Sequence, residues 1–157
     1  MKLRFALLIP IVLGGCADLL GPGAKAPGSD TTHPVARPGS GAVAPPENAR
    51  TVEEFDTTSP TERAAAVAPE NTTSGRSLGT TIASLGDATK PGFWLETPLV
   101  STPTKGRVEY PVTGASVNVD LFPTDGPATS GSRISLAAIR LLGAPLTGLP
   151  ELKVFSN

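Results

Sequence analysis

Only one cysteine and one histidine occur among the 157 residues, and they stand apart at positions 16 and 33. A single thiol closes no disulfide within the chain, so stability has to come from apolar burial alone. No cluster of His, Cys, Asp or Glu has the spacing of metal ligands, and no metal or other cofactor is implied. A phosphate loop, a dinucleotide fingerprint and a Ser–His pair within one domain are likewise missing. Basic side chains are not in excess: 13 Lys and Arg face 14 Asp and Glu. No positive field is therefore available to draw nucleic acid. Long hydrophobic runs are scarce too. The longest apolar stretch, residues 5–13, supplies about half of the roughly 20 residues a membrane-crossing helix needs, and Pro10 interrupts it.

What the chain does have is glycine and proline, 17 of each, well above ordinary usage. Between Ala17 and Arg50 there is no Phe, Trp or Tyr, and Pro22, Pro27, Pro34, Pro38, Pro45 and Pro46 recur among glycines. Such a stretch buries too little apolar surface to offset the ordering of its backbone. Residues 16–50 therefore read as a disordered tether, in which His33 is a solvated bystander. Ser59-Pro60-Thr61-Glu62 is a helix start, with a hydroxyl cap, a first-turn proline and a glutamate placed for a capping box. Thr51-Val52-Glu53-Glu54 offers a second, shorter start with Phe55 as its anchor. Residues 51–76 are thus a short helix and linker, the helix either docking on the C-terminal domain or flickering.

Residues 77–157 form the compact part. Strands are expected at 78–85, 93–95, 107–112 and 116–122. Val117, Val119 and Leu121 alternate with Asn118 and Asp120, the period-two signature of a half-buried strand. Gly86-Asp87, Thr113-Gly114 and Asp125-Gly126-Pro127 mark turns. Residues 134–142 change to a helical period, with Ser135 as cap and Gly143 as terminator. A last strand is expected over 149–155. The order describes a mainly β domain, a small barrel with one short inserted helix.

At the N-terminus, Lys2 and Arg4 precede the apolar stretch, which ends in Leu13-Gly14-Gly15-Cys16. This resembles the lipobox of bacterial lipoproteins. The resemblance implies that residues 1–15 are a signal peptide, that Cys16 is acylated, and that the acyl chains tether the protein to a membrane. Ala17, rather than aspartate, then favours the periplasmic face of the outer membrane over the inner membrane. Without Lys2 and Arg4, 11 basic side chains face 14 acidic ones, a formal charge of −3.

The domain resembles the double-psi β-barrel of the rare lipoprotein A family. The resemblance is carried by Gly114-Ala115-Ser116-Val117-Asn118-Val119, Asp125-Gly126-Pro127, Gly131-Ser132-Arg133-Ile134, the alanine-rich segment from Leu136 to Gly143, and Leu152-Lys153-Val154-Phe155. Some members are lytic transglycosylases that cut peptidoglycan glycan, a reaction that needs an acid and a base. The resemblance maps the family's aspartate onto Asp125, but the arginine that comes after it there is missing here. Glu96 and Glu109 are acidic candidates without an anchoring motif. The commoner role for Asp125 is a turn residue that satisfies backbone donors. The chain also looks like short lipoproteins that sometimes carry a galactarate dehydratase label, for which these residues offer no metal cluster.

An exposed Trp94 would stack on a sugar ring, whereas a lone tryptophan in a thin domain more often fills the core; Gly92 beside it leaves partial exposure open. Arg107, Arg133 and Arg140 are candidates for pairing with peptidoglycan carboxylates. The expectation is a non-catalytic, lipid-anchored envelope protein that binds peptidoglycan glycan or an envelope protein, with Trp94, Asp125 and Arg133 as candidate contacts. A weak lytic transglycosylase using Asp125, and a structural or assembly factor, remain the alternatives.

Overall fold

The computed structural model describes residues 42–69 and 75–157. The features read at residues 1–41, including Cys16 and His33, lie outside these. Two short helices come first. In α1 (Val52–Phe55) the Thr51 hydroxyl accepts from the Glu54 N–H while the Glu54 carboxylate accepts from the Thr51 N–H at 2.9 Å. The same carboxylate takes the Arg50 N–H, and these backbone donors hold Glu54 below the usual carboxylate range. In α2 (Pro60–Val67) Ser59 and Glu62 cap each other in the same reciprocal way, and the Ser59 N–H lowers the Glu62 pKa. The expected helix start is therefore found, and the helix docks. Ala66 is buried, and Asn118 donates to the Ala68 carbonyl at 3.0 Å. Asp56, just past α1, accepts from Arg140 at 2.8 Å and from the Thr58 hydroxyl. Val43, within the span read as tether, offers its carbonyl to the Thr57 hydroxyl.

Six strands come next: β1 (Arg76–Leu85), β2 (Trp94–Thr97), β3 (Thr104–Tyr110), β4 (Ala115–Pro123), β5 (Ser132–Ile134) and β6 (Glu151–Ser156). They close into a barrel in the order β1-β5-β2-β4-β3-β6. Closure gives every strand a hydrogen-bonded neighbour on both sides. Two pairings are parallel, β1 with β5 and β2 with β4, and the other four are antiparallel. Exchanging β1 with β4, β2 with β5 and β3 with β6 leaves every pairing unchanged. The mainly β architecture, a small closed barrel with one short helix inserted between β5 and β6, is the one expected from the sequence.

The alternation read in β4 points as expected: Val117, Val119 and Leu121 are buried, and they meet Val108, Leu95, Ile134, Leu152 and Val154 in the core. Each fully buried Leu or Val contributes about 1.5–3 kcal/mol relative to exposure. One stretch of the interior is polar. Thr81 shares a hydrogen bond with Ser132 at 2.8 Å, and Ser132 donates to the Thr97 hydroxyl at 2.9 Å. The three hydroxyls satisfy one another across β1, β5 and β2.

The expected helix over 134–142 is shorter than its pattern. Ile134 is fully buried and belongs to β5, where it pairs with Leu85 and Leu95. Ser135 caps the helix as expected, taking the Ala138 N–H, and α3 (Leu136–Leu141) comes directly after it. β5 itself escapes a pattern reading because three residues are too few to show a period.

Candidate binding face

The inward-facing residues of β2, β4 and β5 fix which side chains point outward. Leu95, Thr97, Val119, Leu121, Ser132 and Ile134 are buried, so Trp94, Glu96, Asp120, Phe122 and Arg133 lie on the opposite face. The register brings them together: Trp94 stands opposite Asp120, Glu96 opposite Phe122 on one side and opposite Arg133 on the other. Asp120 in turn pairs with Lys105 of β3 at 2.5 Å, an exposed ion pair of small energetic weight.

The connection from β1 to β2 folds over this face. The Asp87 carboxylate accepts the Thr89 hydroxyl at 2.6 Å and the Thr89 N–H at 2.8 Å, which hold it below the usual carboxylate range. The turn delivers Lys90. Its carbonyl accepts the indole N–H of Trp94 at 3.1 Å, and its Nζ lies 4.2 Å from the Trp94 ring centroid and 5.2 Å from that of Phe122. The same Nζ forms an ion pair with Glu96 Oε1 at 2.5 Å. Gly86 completes the packing. A Cβ there would strike Trp94 Cη2 and approach the Cβ of Arg133 to 3.3 Å.

Trp94 is only 3 % exposed, buried under the β1–β2 connection on the outer face of the sheet, and offers no open ring to a sugar while Lys90 lies across it. Arg133 is exposed, and its guanidinium makes no hydrogen bond or ion pair among the described residues. The other two candidate arginines are engaged: Arg107 lies 3.7 Å from Glu109 and over the Phe155 ring, and Arg140 holds Asp56 and Glu53.

Asp125 stands elsewhere. It is exposed on the connection after β4, in a shallow open depression lined by Val100, Ser101, Pro123, Thr124 and Gly126. Its side chain takes no backbone donor among the described residues, which corrects the expectation that it caps its own turn. Among the described residues no second titratable side chain lines the depression. Glu96 and Glu109 are both held in ion pairs, Glu109 with Arg107 and Lys153. The structure thus brings Trp94 and Arg133 together and leaves Asp125 apart. Sequence reasoning missed Lys90 and Phe122; the available signal was the Asp87–Thr89 turn, which aims the next residue back toward Trp94.

Among the described residues no group of His, Cys, Asp and Glu is arranged to hold a metal ion, and no helix is long and apolar enough to cross a membrane. No family model, curated protein or solved structure matches this chain.

Proposed function

We propose that this chain is a lipid-anchored protein of the bacterial cell envelope whose barrel binds peptidoglycan through the Arg133 face. The sequence around Cys16 supports the anchor, and Ala17 supports the periplasmic face of the outer membrane. The observation that carries the binding half is the exposed Arg133 guanidinium, which has no partner among the described residues, beside Trp94, Glu96 and Phe122. Peptidoglycan sugars and peptides bear carboxylates, and a guanidinium fork is the natural partner for them. The single carboxylate at the Asp125 depression gives no support to an acid/base pair, because glycosidic cleavage needs two groups across the scissile bond.

Two outcomes are expected. Cys16→Ser abolishes incorporation of labelled palmitate and shifts the protein from the membrane to the soluble fraction. Unchanged partitioning removes the anchor. In co-sedimentation of the full chain in detergent with isolated peptidoglycan, Arg133→Ala weakens retention about tenfold, the weight of one charge-assisted hydrogen-bond pair. Failure of the parent chain to co-sediment, or equal retention of both, overturns the binding assignment.

A further inference from the structure

Lys90 occupies a position built for an ammonium group that is not tied to the barrel wall. The position has two aromatic faces, Trp94 at 4.2 Å and Phe122 at 5.2 Å, and one carboxylate, Glu96, at 2.5 Å. All three belong to the sheet. Trp94 and Glu96 sit two apart on β2, and Phe122 is the register partner of Glu96 on β4. The ammonium comes instead from the connecting loop on a flexible stem. We propose that Trp94, Phe122 and Glu96 form a binding site for the primary ammonium of a ligand, which Lys90 fills in the free protein and vacates when the ligand binds.

Three features make the exchange feasible. The Lys90 side chain is 33 % exposed, so solvent reaches the site. The loop is held by its backbone, through the Trp94 indole N–H on the Lys90 carbonyl, so the Nζ leaves without the loop lifting. The ion pair is partly solvated, and such pairs are worth little net free energy. A tethered ammonium nonetheless competes at an effective concentration of the order of mM. Ligands must therefore carry more than the cation. Arg133 supplies the second contact, as the antiparallel neighbour of Glu96 on β5. The ligand class is then an ammonium with a carboxylate close by, as in an amino acid or a peptide side chain. The Arg133 half rests on the peptidoglycan reading above, whereas the ammonium site does not.

Trp94 is the chain's only tryptophan, so its fluorescence reports on this site alone. The full chain in detergent is titrated with n-butylammonium and with lysine at constant ionic strength. Both are expected to give saturable changes, and Lys90→Ala to tighten n-butylammonium about tenfold by removing the internal competitor. Adding Glu96→Gln reverses that gain. Arg133→Ala weakens lysine and leaves n-butylammonium unchanged. The site is overturned if Lys90→Ala shows no saturable change, or if Glu96→Gln does not alter it. Should Lys90→Ala fail to fold, the parent chain decides: its Lys90 Cε resonance moves saturably toward that of free lysine, or the proposal falls. Intact Arg133-dependent retention on peptidoglycan without amine binding rejects the ammonium site only. Amine binding with no such retention rejects the peptidoglycan reading only.

Discussion

Gly106→Ala is expected to cost the barrel about 3 kcal/mol, at the upper end of what one added methyl does in a packed interior. Gly106 lies mid-β3, buried between Val119 of β4 and Ser156 of β6. A Cβ there would meet Leu121 Cδ1 at 2.5 Å and Cγ at 2.9 Å, and would strike the Phe155 carbonyl oxygen. The leucine could turn away. The carbonyl cannot, because Phe155 is fixed in register opposite Arg107. The double variant with Leu121→Ala therefore should not recover stability; it should add the cost of a cavity, about 2–5 kcal/mol. Gly114→Ala is the contrast. That glycine has φ +71° and nothing within 4 Å of its Cβ position, so only backbone strain of about 1 kcal/mol applies. Urea unfolding monitored by far-ultraviolet circular dichroism measures all three. A Gly106→Ala loss no larger than that of Gly114→Ala would show that β3 and β6 are not packed this closely.

The same positions show what a sequence discloses and what it hides. β4 was legible because one face is buried and the other wet, so Val117, Val119 and Leu121 alternate with polar neighbours. The capping box at Ser59–Glu62 was legible because a cap is a local device written within four residues. β5 was not, since its three residues are held by partners far along the chain, Ala83 to Leu85 on one side and Leu95 and Glu96 on the other. Gly106 carried no local signal either, because what forbids its side chain is a carbonyl 49 positions later. The candidate binding face suffered the same fate. Trp94 and Arg133 were legible as residue types, but their adjacency depends on the crossing of β5 beside β2. Asp125 drew attention because it sits in a motif, and the fold leaves it alone in an open loop.

Trp94→Ala is expected to cost about 3–5 kcal/mol, because removing a large buried ring leaves a cavity that the barrel wall cannot close. The ring is wedged: Gly86 has no side chain where Cη2 lies, and the Lys90 Nζ sits over the ring 4.2 Å from its centroid. Truncation also leaves the Lys90 carbonyl without its indole donor, which loosens the loop that carries the ammonium. Trp94→Phe separates these effects. It keeps an aromatic face under Lys90 but has no N–H to donate, so a smaller loss of about 1–3 kcal/mol is expected. Since neither variant retains a tryptophan, circular dichroism tracks their unfolding. If Trp94→Ala were to lose less than Trp94→Phe, the ring would not be a packed element of the wall. The ordering matters for function as well. A ring that stabilises the barrel is held still without any ligand, and a rigid aromatic face facing a carboxylate loses little conformational entropy when a cation binds it. Stability and the proposed ammonium recognition at this face therefore rest on the same side chain, and the Trp94→Phe variant should keep ammonium binding while Trp94→Ala should lose it even where the barrel remains folded.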